Sequence, residues 1–172
     1  DKFELYAIAQ YCDELVPNGA GGTEPRFTCN LYLQQQGEAY EVLTNMASIF
    51  RGMLYWANGT LIPVQDAPGT PLYLFTNANV LEGNFEWSGS ALNARHTVAL
   101  VAWNDPTDFY QQKIEAVEDL DGIARYGVRE TRTVAVGCTS RGQAFRVGKW
   151  LLDSERNETE TVSFRTAMEG AM

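Results

Sequence analysis

The chain has 172 residues, of which 45% are hydrophobic, 12% aromatic and 20% charged, the composition of a folded globular protein rather than a disordered one. Thirteen basic against 22 acidic residues leave a formal charge of −9, which argues against a nucleic-acid binder working by phosphate neutralisation and fits a solvated acidic surface. No apolar run approaches the roughly 18 residues of a membrane span, and no cationic start with an apolar core marks a secretory signal.

Residues 3–16, "FELYAIAQYCDELV", place Leu5, Ile8, Cys12 and Leu15 on one face of a helix, which Pro17 ends before the loop "NGAGGTEP". "RFTCNLYL" alternates as a strand does, with Phe27, Cys29 and Leu31 on one side. "GEAYEVLTNMASIFRG" carries a helical stripe of Ala39, Val42, Leu43, Met46 and Phe50, closed by Gly52. "MLYWANGTLIPVQ" is a hairpin turning at Asn58-Gly59, and Pro63 keeps its strand near an edge. After the loop-rich stretch 66–83, β character returns at Phe85.

"HTVALVAWND" is a continuous apolar run and predicts a buried strand. "QQKIEAVED" and "RETRTVAV" are further strands, separated by the short turn or helical piece "LDGIARYG". "VAVGCTSRGQAFRVGKWLL" is a strand running into a helix, and "ETVSFRTAME" closes the chain as a strand. The class is α+β: two strand–helix–strand units with mainly antiparallel or mixed small sheets. The division is 1–24 as N-terminal helix and loop, 25–83 as a first α+β lobe and 84–172 as a second. "GEAYEV" and "GQAFRV" share a Gly-x-Ala-aromatic-x-Val start, which either internal duplication or common helix grammar explains. Asp1 in place of a methionine reads as a piece of something longer.

Cys138 stands at a strand-to-helix turn beside Arg141, where nucleophilic and phosphate-binding sites are built. The Cys-x5-Arg spacing of a phosphatase loop fails, because position 144 is Ala and the arginines fall at 141 and 146. Thr139 or Ser140 instead caps the helix, and Ala144, Val147, Gly148, Leu151 and Leu152 form a stripe suited to packing on a sheet. Cys12, Cys29 and Cys138 are odd in number and lack a Cys-x-x-Cys pair; they read as buried small residues of a reducing compartment. His96, the only histidine, stands at the entry of an apolar strand and reads as a strand-end residue rather than a base. "GAGG" follows a helix instead of a strand, so it is no dinucleotide fingerprint. "EDLDG" fails as an EF-hand because its first and last ligands would be Val117 and Val128. Asp105 and Asp108 flank a proline turn and serve its geometry. No catalytic, cofactor-binding or metal-binding residue is expected.

Five stretches carry a resemblance: "EPRFTCN", "FRGMLYWANGTLIPVQDAP", "ARHTVALVAWNDP", "VEDLDGIARYGVRE" and "GCTSRGQAFRVGKWLL". Together they resemble the tail-tip host specificity protein J (central tail fibre) family of lambdoid phages, from Phe3 to Met168, in the same order and with similar spacing. The resemblance implies a piece of a tail hub, similar to baseplate hub domains, with no catalysis of its own. It implies a virion tail-tip location after synthesis in the host cytoplasm. The implied partners are two further copies in a homotrimer, neighbouring tail-tip and tail-tube proteins, and a host receptor reached through distal domains that this chain lacks. Charged positions such as Arg129 and Arg132 are expected at the surface, where reversal would disturb assembly rather than folding. Two other classes remain. One is a carbohydrate-binding module using Tyr55, Trp56 and Trp87, against which stands their packing as a hairpin core. The other is a cell-wall hydrolase, for which only His96 and scattered carboxylates could be mustered.

Overall fold

The computed structural model describes residues 2–33, 37–57, 59–67, 69–71, 73–89 and 95–167. In chain order these form α1 (Lys2–Asp13), β1 (Leu15–Pro17), β2 (Thr23–Pro25), α2 (Ala39–Ile49), β3 (Gly52–Ala57), β4 (Thr60–Gln65) and β5 (Val80–Gly89). There follow β6 (Val98–Asp105), β7 (Gln111–Glu118), α3 (Leu120–Tyr126), β8 (Glu130–Val134), α4 (Arg141–Asn157) and β9 (Glu160–Thr166). The fold is α+β, with small sheets: the ribbons β1-β2, β3-β4 and β5-β9, and a three-stranded sheet in the order β7-β6-β8. Strand–helix–strand order occurs at the two expected places, β2-α2-β3 and β8-α4-β9, and again at β7-α3-β8, yet in none of these units do the two strands pair with each other.

The core lies where α4 covers one face of the three-stranded sheet. β6 pairs antiparallel with β7 and parallel with β8, so it is the central strand that its apolar run predicts. Alternate side chains Ala99, Val101 and Trp103 pack with Val117, Cys138, Ala144 and Leu152 into one buried cluster. The stripe expected on α4 is this contact, and Gly148 is its closest approach. The other β6 set is less covered: Leu100 and Ala102 are only half-buried, and Ile114 and Val134 beside them are exposed. One helix shields one face, and nothing in the described residues packs α4-fashion on the other.

Several sequence expectations are corrected. α1 ends at Asp13, and Leu15–Pro17 leaves it to pair with Thr23–Pro25. The "GAGG" loop turns this ribbon: Asn18 Oδ1 accepts hydrogen bonds from Ala20 N at 2.8 Å and Gly22 N at 3.0 Å, with Gly19 and Gly21 at positive φ. Residues 26–33 are not a strand, because their backbone groups bond to other partners. Arg26 N donates to Glu14 O, Phe27 N to Cys12 O, Thr28 N to Gln143 Oε1 and Asn30 N to Gly137 O. Only Phe27 of the expected inward set is buried; Leu31 and Cys29 are exposed and Cys12 is half-buried, so of the three cysteines only Cys138 lies in the core.

On α2 the buried residues are Ala47 and Ile49, while Leu43 and Met46 of the expected stripe are exposed. Gly52 does not close that helix. Arg51 takes the left-handed position at φ 59°, and Gly52 opens β3 where a Cβ would collide with the Phe50 ring. Tyr40 Oη reaches across to donate to Leu54 O at 3.0 Å, tying α2 to the β3-β4 hairpin. Asn58 of the predicted turn lies outside the described residues; Gly59 has the expected positive φ of 74°. Pro63 sits in a two-stranded ribbon, where each strand is an edge. Tyr55, Trp56 and Trp87 are exposed rather than packed as a core; Tyr55 and Trp56 stand on opposite faces of a two-stranded ribbon, and both faces are open there.

β5 begins at Val80, earlier than Phe85, and pairs with β9 through a bulge between those residues where Glu82 and Gly83 both have positive φ. The shared hexapeptide is not superposed by structure: Gly37 precedes α2, whereas Gly142 lies inside α4. β9 ends at Thr166, and residues 168–169 of the expected strand lie outside the described residues.

Candidate functional site

The turn that joins β8 to α4 carries the sequence's most chemical-looking residues, and the structure gives them structural work. Gly137 turns the chain at φ 62°. Cys138 is 1% exposed, and its Sγ donates to Ser140 O at 3.2 Å. Burial pushes this thiol above its usual range, so it is protonated at neutral pH and a poor nucleophile. Ser140 is the N-cap: its Oγ accepts from Gln143 N at 3.3 Å and donates to Glu24. Thr139 does something else, accepting from Asn30 Nδ2 at 2.7 Å.

The first turns of α4 are a clamp on the N-terminal segment. Gln143 is buried, and its amide behaves as a stretch of partner strand: Oε1 accepts from Thr28 N at 3.0 Å and from Thr28 Oγ1 at 2.9 Å, while Nε2 donates to Thr28 O at 3.1 Å. Arg146 pairs with Glu24 at 2.7 Å and donates to the carbonyls of Pro17, Pro25 and Arg26. One guanidinium thus gathers the β1-β2 ribbon onto the helix. Arg51 lies between the Phe27 and Trp150 rings, 5.4 Å and 5.2 Å from their centroids, and donates to Arg146 O. Trp150 Nε1 in turn donates to Asp66 Oδ2 at 3.2 Å. Gln143 and Arg146 were not singled out from sequence. Their only signal was two polar residues among the small ones of a helix, which reads equally well as a solvated face.

His96 precedes β6 and is held by Glu155: its backbone N donates at 2.7 Å, and Nδ1 lies 3.0 Å from each carboxylate oxygen. Neither a thiol nor a hydroxyl is placed on it by these contacts, and Cys138 is committed to Ser140. A cleft of about 250 Å³ opens beside it, lined by Arg95, Asp119, Asp121, Arg125 and Arg156 among others. Asp119 and Asp121 of the "EDLDG" stretch pair with Arg156 at 3.1 and 3.4 Å. Thr97, fully buried, fastens the chain that leaves α3, its Oγ1 donating to Gly127 O and accepting from Arg129 N at 2.9 Å each. Arg129 is therefore half-buried and structurally engaged, unlike the surface position expected; Arg132 is exposed.

Several further acids face cations. Glu14 pairs with Arg26, Glu115 with Arg141 and Asp153 with Lys149. Asp105 accepts from Thr107 N, Thr107 Oγ1 and Lys113 Nζ, as its turn role requires, and the Lys113 contact first of all holds its carboxyl at a pKa of about 2. Each of these carboxylates meets a basic side chain, the pattern of ion-pair scaffolding. Among the described residues no group of three His, Cys, Asp or Glu could hold a metal ion, and no helix is long and apolar enough to cross a membrane.

Comparison with known proteins finds similar sequences. A family model described as putative phage tail protein matches residues 38–172. The chain is 42% identical over 170 residues to the tip attachment protein J of Escherichia phage SECphi27, and 36% identical over 171 residues to that of Escherichia phage SECphi4. Each match covers 99% of this chain but only 14% and 15% of the respective relatives, so the chain spans about a seventh of their length.

Proposed function

The chain belongs to the phage tail protein family, and from that premise we propose that it is a structural module of a tail tip, acting in tail assembly, host attachment and DNA delivery without catalysis of its own. The observation that carries this reading is surface. A compact monomer of 19.2 kDa would expose about 8,400 Å². This chain exposes 12484 Å², with Phe3, Tyr32, Trp56, Leu74 and Phe109 among the uncovered apolar residues. An excess of roughly 4,000 Å² on one chain is several times the roughly 800 Å² that each partner gives to a standard interface. A module built to be covered by neighbours accounts for it; a self-sufficient enzyme domain does not.

The finer reading is a hub: a homotrimer in the full-length protein, contacting other tail-tip and tail-tube proteins, with receptor recognition left to distal domains. The division into 1–24, 25–83 and 84–172, and the absence of catalytic, cofactor and metal sites, belong to the same proposal. Three-fold closure uses two different faces of each copy. Light scattering tests it on the 172-residue chain and on a longer chain extending through the rest of the hub. The short chain should be a monomer or weakly associated, since a partial contact below roughly 1,000 Å² rarely holds alone. The longer one should have three times its monomer mass, and a monomer at micromolar concentration removes the hub reading.

The exposure of Tyr55, Trp56 and Trp87 favours one alternative, a carbohydrate-binding surface. Calorimetric titration with host surface polysaccharide tests it. Saturable heat that Trp56→Ala abolishes would support glycan binding, and flat titrations would leave these aromatics to protein contacts.

A further inference from the structure

The cleft beside His96 is walled by three elements. The chain entering β6 supplies Arg95, α3 supplies Arg125 and Tyr126, and the end of α4 supplies Arg156 and Asn157. Its deepest lining residues, Thr97 and Gly122, are buried, and a Cβ added at Gly122 would stand 2.6 Å from Asp119 Oδ2. Hydrogen-bonding capacity here is unbalanced. Arg156 is taken by the acids, Nη1 donating to Asp119 Oδ1 at 3.1 Å and Nη2 to Asp121 Oδ2 at 3.4 Å. Arg95 and Arg125 have no acidic, carbonyl or ring partner among the described residues, and Arg95 Nε is buried without an acceptor. A guanidinium only donates, so the surplus on this cleft is one of donors. A buried donor left unpaired costs free energy that a bound acceptor recovers.

We propose that this cleft binds inorganic phosphate. Its donors come from three elements, which suits a tetrahedral oxyanion better than a carboxylate, whose two coplanar oxygens a single guanidinium fork satisfies. Asp119 and Asp121 each keep one oxygen that Arg156 does not take, and these repel an oxyanion that carries no proton. Inorganic phosphate retains a proton at neutral pH and donates it to such an oxygen; sulfate and simple carboxylates have none to give. The volume of about 250 Å³ lies below the roughly 300–1,000 Å³ of sites for drug-sized ligands, so the cleft takes a single phosphate rather than a nucleotide. Long-range attraction adds little, because the three arginines are matched by Asp119, Asp121 and, behind His96, Glu155, on a chain of charge −9. Binding therefore rests on direct hydrogen bonds and is of millimolar strength. The inference goes beyond the tail-tip reading and does not depend on it.

The test follows the amide NMR resonances of the 172-residue chain during titration with sodium phosphate at neutral pH. Sodium sulfate and sodium acetate at matched ionic strength are the comparators. Phosphate should shift the His96, Arg125 and Tyr126 amides along one saturable curve with a millimolar or tighter midpoint. Sulfate and acetate should bind about tenfold more weakly or not at all. Arg125→Gln removes an exposed side chain that has no partner among the described residues, so it should weaken phosphate about tenfold with the denaturant midpoint unchanged. Arg132→Gln, at an exposed arginine outside the cleft, should leave binding as it is. Shifts that never saturate, or that map away from the cleft, would overturn the site. So would equal affinity for sulfate or acetate, undiminished binding by Arg125→Gln, or a loss in Arg132→Gln as large as that in Arg125→Gln.

Discussion

Gly148 on α4 lies so close to Val117 on β7 that an added Cβ would stand 2.7 Å from the valine Cγ2, and 2.9 Å from that of Val101. The helix rests on the sheet at the distance a hydrogen atom allows. Both valines are fully buried core residues, so relief requires the helix or the strands to shift. Gly148→Leu should lower stability by about 1–3 kcal/mol, and Gly148→Ala should also destabilise. Equal denaturant midpoints for wild type and Gly148→Leu would show that this face of α4 does not bear on the sheet.

This contact was legible in the sequence, as were β6 from its apolar run and the Asp105 turn from its proline and flanking acids. Each depends on neighbours in sequence or on a periodicity a few residues long. The segment 26–33 was misread for the opposite reason. Its alternation is real, but its backbone bonds to scattered partners: Glu14 and Cys12 on one side, Gly137 on another, and for Thr28 the side chain of Gln143, 115 positions away. The clamp formed by Gln143 and Arg146 was missed on the same ground. The exposed faces of α1 and α2 were misjudged because an apolar stripe marks a surface to be covered, and here much of the cover is not among the described residues. Phe109 and Tyr110, both at positive φ, left no signal, since glycine or asparagine is the residue pattern that announces a left-handed turn.

Gln143 permits a direct measurement of that clamp. Gln143→Leu keeps the volume and removes every bond to Thr28, leaving its backbone N–H and carbonyl without this partner. A loss of about 1–3 kcal/mol is expected, the cost of a partly buried polar group left unsatisfied. Hydrogen exchange should locate it: the Thr28 amide should lose protection first, ahead of amides in β6. Unchanged exchange at Thr28 would mean that the segment is held by other contacts.

Asp105 gives the fold a defined acid dependence. Its folded pKa of about 2, lowered first by the Lys113 hydrogen bond and then by Thr107, lies below the roughly 3.9 of an unfolded chain. The carboxylate's stabilisation is thus fully present above the unfolded value and disappears as pH falls through about 2. Lys113 is raised in the folded state by the same contact, so its share is present below its unfolded pKa and lost only at strongly alkaline pH. Denaturation midpoints followed from pH 6 to pH 2 should fall less steeply for Asp105→Asn than for wild type. Parallel curves would show that the Asp105–Lys113 contact is not maintained in solution.

The three thiols should separate by rate, because the fold treats them differently. Cys29 is exposed, Cys12 is half-buried with a thiol raised by burial and by Asp13, and Cys138 is buried with its thiol raised by burial. A disulfide reagent at pH 7 should therefore modify Cys29 at the rate of an open peptide thiol and Cys12 more slowly. Cys138 should react only as fast as the fold opens, and addition of denaturant should release it at once. Cys138→Ser should accordingly leave any glycan-binding or wall-processing readout of the parent protein unchanged, because Ser140 and not Cys138 organises the start of α4. Rapid modification of Cys138 in the native protein, with a thiol pKa below that of a free cysteine, would overturn the structural role assigned to this turn and restore the nucleophile that its sequence suggests.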